Sequence, residues 1–231
     1  MSLPIVLIPG LYLTARFFAA QLPPLWRRGA VMVANHARDA EIGALARRIL
    51  AEAPPRFALV GHSMGGYAAF EMLRQEPARI AQLVLLDTSA RADSVEQTTK
   101  RNEQIALARA GRFMEVPRAL FPKLVHAARA DDATLRADVE RMAEDTGAEG
   151  FVRQLQAIMS RPDSRPTLAA IGCPTTVIVG EGDQVTPIEH AREMADGIPG
   201  ATLEVVTGGG HYCAMETPDR VTALLERALA G

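Results

Sequence analysis

The hexapeptide Gly61-His62-Ser63-Met64-Gly65-Gly66 follows the apolar run Phe57-Ala58-Leu59-Val60 and leads into a stretch rich in small residues, including Ala68 and Ala69. A serine with glycine two positions before it and two positions after it can occupy a turn too sharp for bulkier neighbours. Between a strand and a helix, such a turn leaves the Ser63 hydroxyl exposed at the carboxyl edge of a sheet. It then lies beside a helix amino terminus whose free N–H groups favour negative charge.

The rest of the chain repeats the strand-helix pattern. Apolar runs at 4–8, 30–34, 57–60 and 83–86 alternate with helically spaced segments at 14–28, 39–53 and 64–75; in the second of these, Ile42, Leu45, Ala46, Ile49 and Leu50 recur at helical intervals. Alternation of this kind predicts a parallel sheet with right-handed crossovers, and strands that are continuously apolar predict helices on both faces. From 88 to 166 the pattern is helical only, with helices expected at 95–110, 116–128, 133–144 and 150–159. The earlier rhythm then resumes, with strands at 175–179 and 202–206 and helices at 188–196 and 218–229. The expected architecture is an α/β core of residues 1–87 and 167–231, with six parallel strands, carrying a helical cap of residues 88–166.

Composition narrows the partners. Of 231 residues, 48% are hydrophobic and 23% charged, which is ample material for a core. Twenty-five basic against 27 acidic residues give a net charge of -2, so there is no basic field for nucleic acid or for an anionic membrane surface. The apolar stretch 3–13 is broken by Pro4 and Pro9-Gly10 and has no cationic segment before it, so it reads as neither a membrane span nor a signal peptide. Cys173 and Cys213 are the only cysteines and show no metal-ligand spacing. They are expected to be free thiols in a reducing cytoplasm. The expectation is a small-molecule substrate, with no metal and no cofactor.

A serine hydroxyl needs a base to act as a nucleophile near neutral pH. Of five histidines, His211 ends Gly208-Gly209-Gly210-His211 directly after the last expected strand, where a glycine-rich loop can carry an imidazole over the sheet edge. His36, His126 and His190 have no distinctive setting, and His62 is expected to point away from its neighbour Ser63. The acid that orients and charge-stabilises the imidazole is Asp183, in Gly180-Glu181-Gly182-Asp183 after the strand at 175–179, with Asp87 at the end of an earlier strand as its rival.

With Ser63, Asp183 and His211 in that chain order, the sequence resembles the α/β-hydrolase superfamily, in particular its capped esterases, lactonases and C–C-bond hydrolases. The likeness rests on the serine turn, Gly180-x-x-Asp183, the glycine-rich histidine loop and Glu216-x-Pro218, and it covers the core segments, about two thirds of the chain. It implies an α/β-hydrolase fold, a mostly parallel six-stranded sheet flanked by helices, and acyl transfer through a Ser-His-Asp triad. It also implies an oxyanion hole made by the N–H groups of Leu11 and Met64. C–C-bond hydrolysis, hydroxynitrile cleavage or ligand sensing on the same three residues stay open as alternatives. A serine at 63 argues against the dehalogenases and epoxide hydrolases of the fold, which need a carboxylate there.

Three departures stand out. Members commonly have His-Gly after the first core strand, where Ile8-Pro9-Gly10-Leu11 keeps only the glycine. They usually begin with an antiparallel hairpin that this chain lacks. They carry Gly-His-Gly where this chain has Asn35-His36-Ala37-Arg38-Asp39, a change expected to alter shape and not chemistry. In the cap, Leu107, Phe113, Phe121 and Phe151 are candidates to line the substrate pocket, or else to form the seam between cap helices. The only lysines, Lys100 and Lys123, also lie in the cap and suggest no second catalytic group.

Overall fold

The computed structural model describes residues 3–230. Its strands are β1 (Ile5–Ile8), β2 (Val31–Val33), β3 (Phe57–His62), β4 (Ile80–Leu86), β5 (Thr175–Gly180) and β6 (Thr202–Val206). They form one sheet in the order β2-β1-β3-β4-β5-β6, and every adjacent pair is parallel. Parallel neighbours need crossovers, and the intervening helices supply them while burying β1 and β3 completely. From β1 the chain moves outward to β2 and then returns to β3 on the other side of β1. The order therefore reverses between β1 and β3. In an open α/β sheet, the crevice beyond the carboxyl ends of the strands at such a reversal is where ligands bind. The segments leaving β1 and β3 there contain Leu11 and Ser63.

The core helices are α1 (Leu22–Arg28), α2 (Ile42–Glu52) and α3 (Met64–Gln75). The helix expected over 14–28 is instead a 3-10 turn, Ala15–Phe18, followed by α1. Pro23 and Pro24 explain the break, because proline fits the first turn of a helix and disrupts its interior. Strand β4 starts three residues before its expected position. Gln82 interrupts the apolar run there, and a register shift at Phe57/Ala58 accommodates the added residues.

Between β4 and β5 the described chain is helical, with α4 (Val95–Arg109), α5 (Glu115–Leu124) and α6 (Ala133–Met159). Ser94 and Gln97 close a reciprocal capping box at the start of α4. The helices expected at 133–144 and 150–159 run end to end as α6, bent at Gly147, whose φ of 72° few other residues accept. Helices α7 (Ile188–Gly197), α8 (Cys213–Glu216) and α9 (Pro218–Ala228) complete the core. Cys173 is half-buried, Cys213 is buried, and both are free thiols. No helix among the described residues is long and apolar enough to cross a membrane.

Candidate active site

Ser63 sits between β3 and α3 at φ 50° and ψ −114°, a backbone conformation outside the regions comfortable for a residue with a side chain. Surrounding contacts hold it there. Its N–H donates to the Leu86 carbonyl at 3.0 Å, and its own carbonyl accepts from the Thr88 hydroxyl at 2.8 Å. The flanking glycines are required by close approach. A Cβ on Gly61 would lie 2.5 Å from the Gly65 carbonyl oxygen, and one on Gly65 would collide with the carbonyl of Ile8. The turn thus presses β3, α3 and β1 together with no room for side chains.

Three side chains from separate loops meet at this turn. Ser63 Oγ is 2.9 Å from His211 Nε2, and His211 Nδ1 is 2.8 Å from Asp183 Oδ2. The carboxylate is itself fixed: Oδ1 accepts from the backbone N–H groups of Val185 and Thr186 at 2.8 and 3.0 Å, and Oδ2 accepts from the Thr186 hydroxyl at 2.7 Å. Burial by itself would raise the Asp183 pKa, yet the His211 charge and these hydrogen bonds hold it below the usual carboxylate range. For His211, burial by itself would lower the pKa, and the charge and hydrogen bond of Asp183 outweigh that and raise it.

Asp87 occupies a different position. Its Oδ1 accepts from the Gly180 N–H at 2.8 Å, and it makes no hydrogen bond to His211 among the described residues. Burial, reinforced by the negative charge of Asp183, pushes its pKa well above the carboxylate range, and its carboxyl ties the end of β4 to the end of β5. His62 is also buried. It donates from Nε2 to the His211 carbonyl at 2.8 Å and stacks on Phe17 at 4.1 Å, which supports the backbone of the histidine loop.

That loop is tied to the helical insert. Glu216 accepts from the N–H groups of both Gly210 and His126, at 2.8 and 2.6 Å, and the Tyr212 N–H donates to the Leu124 carbonyl at 3.1 Å. Opposite Ser63, neither the Leu11 nor the Met64 N–H has a hydrogen-bond acceptor among the described residues, so both are free to receive a ligand oxygen. Met64 is the first residue of α3, where an N–H has no partner within the helix.

Two residues without a distinctive sequence setting shape the loop that carries Leu11. His36 Nε2 lies 2.7 Å from the Gly10 carbonyl and must donate to it, and Gln154 of α6 accepts from the Tyr12 N–H at 2.8 Å. Tyr12 is held at φ 46°. The segment Asn35-His36-Ala37 keeps the histidine of Gly-His-Gly while losing its glycines, and that histidine fastens the Leu11 loop. A buried histidine facing a backbone carbonyl was not inferable from the sequence around 36.

Burial lowers the His36 pKa from the ordinary histidine value to about 4, and burial pushes His62 well below its ordinary value as well. The unfolded chain binds protons at these sites near pH 6.5 and the folded chain does not, so stability falls as pH is lowered from about 6.5 toward 4. His36 alone contributes on the order of 3 kcal/mol to that loss. Urea unfolding at pH 7 and pH 5 is expected to show the decline. In His36→Gln, which keeps an N–H donor but does not titrate, the decline is expected to be shallower; an identical slope would remove His36 from the account.

A cavity of about 230 Å3 opens over Ser63 and His211, with Leu11, Tyr12 and Tyr67 on the core side. The insert contributes Gln97, Lys100, Arg101 and Gln104 from α4 and Leu120, Lys123 and Leu124 from α5. The candidates Leu107, Phe113, Phe121 and Phe151 do not line it, and this corrects the pocket-lining expectation. Phe113 packs on Phe151 at 4.9 Å, Phe121 lies under the Arg136 guanidinium, and Leu107 packs against the core. They form the seam between helices. A larger concavity of about 620 Å3, lined in part by Arg56, Arg74 and Cys173, lies away from these three side chains.

The chain belongs to the alpha/beta hydrolase family, which it matches over residues 5–224. Its relatives include a Klebsiella pneumoniae protein with the provisional name carbamate hydrolase RutD, 29% identical over 182 residues. The matched stretch takes in 76% of this chain and 66% of that relative, slightly under two thirds of its length. Among solved structures, an esterase from Thermogutta terrifontis superposes with a TM-score of 0.90 at 28% identity, over 99% of this chain and 90% of the esterase. The enol-lactonase of Burkholderia xenovorans LB400 shares the fold at a TM-score of 0.89 and 23% identity, over 100% and 92% of the two chains.

Proposed function

We propose that this chain is a serine hydrolase that cleaves a carboxylic ester, or a closely related acyl bond, of a small molecule through an acyl-enzyme. The unbroken hydrogen-bond chain from Ser63 through His211 to Asp183, at 2.9 and 2.8 Å beneath a cavity, carries this reading. Ser63 Oγ attacks the carbonyl carbon while His211 Nε2 takes its proton. Asp183 keeps the other proton of the ring on Nδ1 and stabilises the imidazolium that forms. The carbonyl oxygen becomes an oxyanion facing the Leu11 and Met64 N–H groups. Collapse expels the alcohol, which takes the proton from His211. A water molecule, deprotonated by the same nitrogen, then cleaves the acyl-enzyme and restores the Ser63 hydroxyl.

In this reading residues 1–87 and 167–231 carry the chemistry, and 88–166 form a helical cap that selects the substrate. A cavity of about 230 Å3 lies below the ~300–1,000 Å3 of drug-sized ligand sites and suits a short acyl group. The carbamate name of the relatives supports including a carbamate among the acyl bonds tested, because its carbonyl accepts the same attack. The test is a panel of activated esters of graded acyl length, with a thioester and a carbamate, alongside labelling by a phosphonate. Turnover of short acyl esters and a single adduct on Ser63 are expected. No turnover and no adduct would overturn the enzymatic reading and favour a ligand sensor.

A further inference from the structure

The cavity wall carries charge of one sign. On α4, Gln97, Lys100, Arg101 and Gln104 fall at positions i, i+3, i+4 and i+7, which places all four on one helix face, and that face lines the cavity. No aspartate or glutamate lines it. The only two lysines of the chain, sparse in a protein whose other basic residues are arginines, both do.

The three cations are not equivalent. Arg101 is committed to Asp93, which it meets at 2.6 and 3.1 Å. Lys100 is paired with Glu96 at 2.7 Å, a turn back on α4 and outside the cavity lining. Lys123 has no ion pair and no side-chain hydrogen bond among the described residues. It stands between Leu120 and Leu124 on the facing helix α5. A purely apolar acyl chain would lie against a polar stripe that it could not satisfy. A substrate with a negative end would meet a free ammonium and amide donors.

We infer that the substrate carries a carboxylate, or a comparably compact anion, beyond its scissile acyl group, and that Lys123, assisted by Lys100, holds that anion at the cavity mouth. The inference rests on the hydrolase reading of Ser63 and adds to it the class of substrate. Both ammonium groups are exposed, so the attraction is modest and screened by salt, and it acts chiefly on capture of the substrate.

The test compares the 4-nitrophenyl monoester of glutaric acid with the same ester bearing a terminal carboxamide in place of the free carboxylate. The wild-type chain is expected to favour the anionic ester by about three- to tenfold in kcat/KM, mostly through KM, with the ratio shrinking as ionic strength rises. Lys123→Gln is expected to bring that ratio near one, and Lys123→Glu to invert it. A wild-type ratio of one, or a ratio that Lys123→Gln leaves unmoved, would overturn the inference while leaving the hydrolase reading intact. If neither ester is turned over, calorimetric binding of glutarate against glutaramide decides the anion site, and the hydrolase reading is judged separately by the ester panel and phosphonate labelling. Preferential binding of glutarate that is lost in Lys123→Gln supports the site, and equal binding of the two refutes it.

Discussion

Ser63→Ala is expected to lower kcat for a short acyl ester by on the order of 10⁶-fold and to end phosphonate labelling, because in the proposed mechanism the hydroxyl oxygen forms the acyl-enzyme. The fold should survive the change. The contacts that hold the turn, Ser63 N–H to Leu86 and Ser63 carbonyl to Thr88, are made by the backbone and do not involve Oγ. The Leu11 and Met64 N–H groups of the proposed oxyanion hole are untouched by the substitution, so some catalysis over water is expected to persist. The backbone at φ 50° adds a second consequence. Strain of this kind costs roughly 1–3 kcal/mol, and glycine accepts positive φ, so Ser63→Gly is expected to melt above Ser63→Ala even though glycine loses more entropy on folding. An adduct found on another serine, or turnover retained in Ser63→Ala, would remove Ser63 from the chemistry.

The sequence exposes the parts of this molecule that depend on local pattern. Helix Met64–Gln75 and strand Thr202–Val206 occupy the ranges expected from their apolar spacing, because in each the pattern is bounded by residues that end it. Boundaries blur where tertiary context supplies the bonding, as at Ile80, where pairing with Phe57 extends β4 past a glutamine. Ser63, Asp183 and His211 are visible because each sits in a loop whose glycines or position after a strand announce it. The groups that aim those loops are not visible. His36 reaches Gly10 across 26 residues and Gln154 reaches Tyr12 across 142, and neither separation leaves a local mark. The cap aromatics failed for a related reason: a helical stripe says which face is covered, and does not say whether a substrate or another helix covers it. Leu124 and His126 also show that the helical insert is hydrogen-bonded to the histidine loop, through Tyr212 and Glu216. Removing residues 88–166 would therefore leave those groups without partners, and His211 less firmly placed.

Asp183→Asn is expected to lower turnover by roughly 10⁴-fold, while Asp87→Asn costs less than about tenfold. The difference follows from what surrounds each carboxyl. At 183 the Val185 and Thr186 N–H groups bind Oδ1, so an asparagine must keep its carbonyl oxygen there and turn its NH2 toward His211. The Thr186 hydroxyl, which now donates to Oδ2, can rotate to accept from that NH2 and so locks the orientation. Facing a donor, His211 Nδ1 must become an acceptor, which moves the ring proton to Nε2. Nε2 can then no longer take the proton of Ser63. At 87 burial raises the carboxyl pKa and so disfavours its charged form, the side chain makes no hydrogen bond to His211 among the described residues, and an asparagine keeps an acceptor for the Gly180 N–H. The pH profile separates lost geometry from lost charge. Asp183 raises the His211 pKa, so wild-type kcat/KM is expected to climb as pH rises through a value above 6.5, and in Asp183→Asn that limb moves to lower pH. Equal losses in the two variants, or a larger loss in Asp87→Asn, would transfer the orienting role to Asp87 and return Asp183 to the structure of its loop.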